Sequence, residues 1–162
     1  PPEAGVRRGL LHYHFGTKRD LFLEVVRSLT VPSPDLAVPP PGDLGLPETI
    51  DLCVERFLDA AEANADTWFA ALDAEGFGQD PELMRIVNRA RDLTVEHLLR
   101  VLGLADPTDT LRVILRTYSG LADVATREWL QQKTIDRARA HTLLSRSLLA
   151  LITDVAPAVE RG

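Results

Sequence analysis

From residue 48 onward, apolar residues recur at spacings of three and four, and strand-like alternation of period two is absent. That is the period of helices, not of strands. The pattern is sharpest near the end of the chain. Leu111, Leu115, Tyr118, Ala122, Ala125 and Trp129 fall at intervals of 4, 3, 4, 3 and 4, and Leu144, Leu148, Leu151 and Val155 at 4, 3 and 4. Each set is a heptad seam on one helix face. Val113, Ile114, Leu121, Val124, Leu143, Leu149 and Ile152 are also apolar but lie off the seams. Both helices therefore carry more apolar surface than a helix at a monomer edge needs, which suits a central position or a subunit interface.

Seven helices are predicted, in an all-α fold. The first covers about 4–13. The second follows a capping-box pattern, Thr17-Lys18-Arg19-Asp20, with Leu21, Phe22, Val25, Val26 and Leu29 as its stripe. The third starts at Pro47-Glu48, where proline suits a first turn, and runs to about Asn64. The fourth is capped by Asp66 and ends near Gly76. The fifth opens at Asp80-Pro81-Glu82 and stops at Gly103. The sixth opens at Asp106-Pro107 and covers about 107–131. The seventh is capped by Thr134 and covers about 135–156. Between the second and third helices, Pro32, Pro34, Pro39, Pro40, Pro41 and Pro47 exclude regular helix. The expected organisation is therefore an N-terminal module at 1–29, a proline-rich linker at 30–47 and a helical domain at 48–162.

Charge sharpens this division. The net charge is −6. Residues 1–29 hold Arg7, Arg8, Lys18, Arg19 and Arg27 against Glu3, Asp20 and Glu24. That stretch is thus +2 and the remainder −8. A locally cationic module on an anionic body is a plausible footprint for nucleic acid at one end only. The chain opens on Pro1-Pro2-Glu3-Ala4-Gly5, which lacks the features of a secretory signal. Every long apolar run is interrupted by charge, so no membrane span is expected. The single cysteine, Cys53, sits among apolar residues and reads as core. A cytoplasmic protein is expected.

Residues Ala4 to Val26 read AGVRRGLLHYHFGTKRDLFLEVV. This resembles the end of the helix-turn-helix module of TetR-type transcriptional regulators. Gly5 suits a tight turn between short helices, and Val6, Leu11 and Phe15 can anchor a recognition helix. The resemblance implies that Arg7, Arg8, Gly9, Leu10, His12, Tyr13, His14 and Lys18 face DNA. Arginine reads guanine or binds phosphate, while Tyr13, His14 and Lys18 match phosphate-contacting positions. Leu10 stands where the family commonly has a small polar residue, and His12 where it has tyrosine, which bears on operator sequence. Two helices precede this motif in the family. Glu3-Ala4-Gly5 matches the end of the second, so the resemblance implies further chain ahead of Pro1.

The five body helices are similar to the family's regulatory domain. That implies an effector pocket among the middle helices and a homodimer built on the last two. Trp68, Phe69, Leu72, Phe77, Met84, Val87 and Tyr118 are the expected apolar lining, with Asp73, Arg91 and Asp123 as candidate polar anchors. Leu115, Ala122, Ala125, Trp129, Leu144, Leu148, Leu151 and Val155 are the expected dimer seam. The partners implied are double-stranded operator DNA, a small, largely apolar effector, and a second copy. No cofactor or metal is implied. His12 and His14 are two residues apart on a helix, so their imidazoles diverge by about 200° and cannot share an ion. Asp73, Glu75, Asp123, Arg127 and Glu128 lack any nucleophile–base or phosphate-loop pattern beside them. An enzyme is not expected. The competing reading is an all-helical dimerisation or adaptor module that does not touch DNA.

Overall fold

The computed structural model describes Asp20, Leu23, Glu24, residues 40–66, Phe69 and residues 81–162. Among these residues the regular structure is entirely helical: α1 (Leu46–Ala63), α2 (Pro81–Val101), α3 (Asp109–Leu130), α4 (Arg137–Ala150), a π-helical turn (Leu151–Val155) and α5 (Ala156–Arg161).

The helix ends follow from local chemistry. α1 places Pro47 in its first turn beside Glu48, where the missing N–H costs nothing and the acid meets the positive end of the helix. It ends at Asn64, whose backbone N–H and side-chain Nδ2 both donate to the carbonyl of Ala60, at 3.1 and 2.8 Å. α2 is closed by Gly103 at φ +65. The Gly103 N–H donates to Arg100 O at 3.2 Å and the Leu104 N–H to Leu99 O at 2.9 Å, the paired bonds of a Schellman stop.

Two start signals differ from the sequence reading. Asp106 adopts φ 53 in the turn and caps nothing. The cap of α3 is Thr108, whose hydroxyl accepts from the Leu111 N–H at 3.1 Å. Likewise α4 is capped by Asp136, which accepts from the Arg139 N–H at 2.8 Å. Thr134 instead donates its hydroxyl back to Glu128 O at 3.2 Å. Thr134 thus serves the turn by donating to a nearby carbonyl, and the cap passes to Asp136.

The C-terminal helical stretch also runs past the expected end near 156, to Arg161. Pro157 explains how. It has no N–H for the carbonyl four residues back and its ring crowds that carbonyl. The helix widens ahead of it into the π turn, where the Ala156 N–H reaches Leu151 O.

One core joins four helices. α1 supplies Ile50, Val54, Leu58 and Ala61; α2 supplies Val95 and Leu99; α3 supplies Leu115, Tyr118, Ala122, Ala125 and Trp129; α4 supplies Ala140, Leu144 and Leu148. Leu58, Leu115 and Leu144 are fully buried at 0% exposure. Each contributes about 1.5–3 kcal/mol of transfer free energy. α4 packs between α1 and α3, and α2 lies along the other flank of α3. A second, smaller cluster joins Leu23 to Leu83, with Ile86 and Val87 against it.

Candidate functional site

The expected DNA-facing residues Arg7, Arg8, Gly9, Leu10, His12, Tyr13, His14 and Lys18 lie outside the described residues. So do Trp68, Leu72 and Phe77 of the expected effector pocket, while Phe69 is half-buried. The remaining pocket candidates separate into three places. Tyr118 is in the main core, with its hydroxyl donating to Leu144 O at 3.2 Å. Burial, and then the neighbouring Cys53 thiol, push the phenol well above its ordinary range, so it stays a neutral donor. Arg91 and Asp123 face each other across α2 and α3 at 3.8 Å. Val87 packs beside the Leu23 cluster, and Met84, near the start of α2, is exposed. The structure thus brings Arg91 and Asp123 together and commits the Tyr118 hydroxyl to α4, while the third expected anchor, Asp73, lies outside the described residues.

A half-open cleft of about 310 Å³ lies where residues 40–49 meet the end of α2. Pro41, Leu44, Leu46 and Leu102 give it apolar walls, with Arg100 at its side. The sequence pattern carried no signal for it, because its walls are turns rather than one periodic face.

Cys53 is half-buried and burial raises its thiol, partly offset by Arg56. This favours the protonated, unreactive form. His97 is pushed down, first by burial and then by Arg100. Among the described residues no three His, Cys, Asp or Glu side chains converge as a metal site requires.

The expected dimer seam needs correction. Leu115, Ala122, Ala125, Trp129, Leu144 and Leu148 are buried against one another inside a single subunit. Leu151 is half-buried and Val155 is exposed. Heptad spacing identifies two helices that fit together; it does not say whether they belong to one chain or two. Once the seams have closed internally, Val113, Val124 and Leu143 of the off-seam residues lie on the outer face, whereas Ile114 is buried and Leu121, Leu149 and Ile152 pack against the core. Val113 is 63% exposed, Val124 61% and Val159 56%, with Leu143 and Val155 also open to solvent. On α3, Val113, Thr117, Gly120 and Val124 form one stripe at intervals of 4, 3 and 4. Their apolar character was visible in the sequence, but the face they occupy was not.

The same exposure bears on the membrane expectation. Arg137–Arg161 is long and apolar enough, by length and composition, to cross a bilayer, although only 22% of its most apolar window is buried. Arg146 and Asp154 lie within the run, and its inner residues Ala140, Leu144 and Leu148 belong to the subunit core. The apolarity comes from having an inner and an outer apolar face on one helix.

The α1–α4 contact carries an ionic cluster. Arg137 reaches Glu55 at 2.7 Å, Asp59 at 2.5 Å and Glu62 at 4.0 Å, and lies 6.0 Å from the Trp129 ring centre. The hydrogen bond to Glu55, and then the three acids' charges, hold its guanidinium pKa above the ordinary value against the opposing effect of burial.

The tetracyclin repressor-like C-terminal domain family matches residues 46–151. No curated protein and no solved structure matches the chain.

Proposed function

This chain belongs to the tetracyclin repressor-like family through its domain at residues 46–151, and from that premise we propose that it is a ligand-responsive, DNA-binding transcriptional regulator. It acts in the cytoplasm as a homodimeric repressor, released from its operator by a small, largely apolar molecule. The observation that carries this reading is the conjunction on one chain of the Ala4–Val26 motif with the matched domain downstream of it.

The outer faces of α3 and the C-terminal helix support the dimer. Val113, Val124, Leu143, Val155 and Val159 leave an apolar surface on the two helices that end the domain. A second copy presenting the same surface across a two-fold axis covers it. The paired recognition segments then enter successive major grooves of a pseudo-palindromic site. Effector binding favours a spacing that no longer fits; a coupling of about 1–3 kcal/mol suffices.

The test is binding of the natural full-length protein to DNA from its own promoter region. Tight binding that falls steeply as salt rises is expected, because phosphate contacts release counterions. A stable dimer that shows no preference for that DNA at any salt overturns the regulator reading and favours the adaptor module. A dimer that binds DNA but shows no thermal shift with any member of an apolar small-molecule panel removes the effector part alone.

A further inference from the structure

The half-open cleft beside residues 40–49 is built where two helix ends meet. The turn ahead of α1 and the first residues of α1 supply Pro41, Leu44, Leu46 and Thr49, and the close of α2 supplies Arg100 and Leu102. Gly103, which ends α2 at φ +65, adds backbone to the wall. A Cβ added at Gly42 or at Gly103 would meet nothing within 4 Å, so both glycines border open space. The volume of about 310 Å³ equals about ten water-sized volumes. It suits a molecule of about ten non-hydrogen atoms, at the small end of ligand pockets.

The chemistry of the walls is uneven. Among the described lining residues, Arg100 alone is charged and Thr49 alone carries a hydroxyl; the other side chains are apolar. Arg100 is exposed and pairs with no described acid. Thr49 is only 7% exposed, and its hydroxyl bonds to no described atom. The hydroxyls of Thr94, Thr117, Thr126, Thr142 and Thr153, by contrast, each donate to the carbonyl four residues back. A covered donor left unpaired is costly. An acceptor entering the cleft relieves that cost, and an anionic acceptor also meets the guanidinium.

We propose that this cleft binds a small amphipathic monocarboxylate. Arg100 holds the carboxylate, Thr49 donates to it, and Pro41, Leu44, Leu46 and Leu102 enclose the apolar body. The site is separate from the effector pocket expected among the middle helices. Val87, on that pocket's expected lining, and Arg100 lie about 20 Å apart along α2, at about 1.5 Å per residue. Occupancy of the cleft does not depend on the regulator reading.

Calorimetric titration of the full chain, without DNA, tests this. The probe is octanoate, with octan-1-ol as its uncharged counterpart and octylammonium as its cationic one. Octanoate binds with a Kd of about a millimolar or tighter. Octan-1-ol binds at least about tenfold more weakly, because the charge-assisted bond is lost. Arg100→Gln leaves the melting temperature of the free protein unchanged and removes that preference. Arg100→Glu inverts it, favouring octylammonium over octanoate, a result that general loosening does not give. Thr49→Val weakens octanoate about threefold. Equal affinity of the wild type for octanoate and octan-1-ol overturns the proposal. So does a preference for octanoate that survives Arg100→Gln, since the carboxylate is then held elsewhere, and so does an absence of binding at millimolar octanoate. None of these results bears on DNA binding, so the regulator reading stands or falls separately.

Discussion

α2 and α3 differ by one residue in length and lie side by side, yet they are held in different ways. α3 buries seven positions along its whole length, from Ile114 to Trp129, and sits between α2 and α4. α2 buries three, Leu83 in its first turn and Val95 and Leu99 in its last two turns. Close packing on α3 resists displacement at every turn, because each side chain has a shaped space on both sides. α2 has two greasy ends and a charged middle.

Substitutions separate the two. The largest effect is expected at Leu115→Ala, which empties a fully buried site on α3 and costs about 2–5 kcal/mol in denaturant unfolding. Arg116→Ala, one residue on but exposed and paired with Asp92 of α2, costs no more than about 1 kcal/mol. Equal losses from the two would mean that α2 is as firmly built in as α3.

Next comes the outer face of α3. Val124→Asp leaves the subunit's own unfolding free energy within about 0.5 kcal/mol, since the site is exposed and outside the core. If the proposed dimer forms through this face, the same change shifts it to monomer in sedimentation velocity. An unchanged dimer would move the interface away from this face.

Tyr118→Phe is smaller. It removes the bond to Leu144 O at about 0.5–1.5 kcal/mol, and it alters the alkaline limb. The phenol pKa is higher folded than unfolded, so its contribution is intact below the ordinary value of about 10 and is lost as pH rises beyond it. Wild-type stability should fall more steeply above that pH than the variant's; parallel curves would show that the phenol is not protected. The smallest effect is Arg137→Ala, under about 1 kcal/mol and shrinking as salt rises, because its acids Asp59 and Glu62 are largely solvated. A larger, salt-independent loss would point to the Trp129 contact instead.

Helix identity was legible because burial on one face writes a 3.6-residue period into the sequence. The extents of α1 and α2 follow from Pro47, Pro81 and Gly103, residues whose backbone chemistry permits few alternatives. Caps were less legible. Asp106 and Thr108 are both cap-forming residues two positions apart, and only the turn geometry decides between them. The seams were legible as seams, but Leu115 and Leu144 are buried within one subunit for a reason absent from any single helix: the loop at 131–136 is short enough to fold α4 back onto α3. The ion pairs of Asp92 with Arg116 and of Glu96 with Arg112, between α2 and α3, were least legible. Nothing in the spacing of Asp92 and Glu96 on one helix, or of Arg112 and Arg116 on the next, says that they meet. Arg91 and Asp123 were singled out as binding groups, and the structure pairs them with each other.

The π turn at Leu151–Val155 works as a change of phase. Each residue advances a helix by about 100°, so one residue more in a turn rotates everything after it by about that angle. Ahead of the turn, Leu144 and Leu148 point inward; beyond it, Val159 points outward and Glu160 meets the Thr108 hydroxyl at the start of α3. Loss or gain of a single codon there would turn the last helix like a dial, presenting a different stripe to a partner while leaving the core upstream intact. The face that the last helix turns outward is therefore set by the length of this turn as well as by the residues on it.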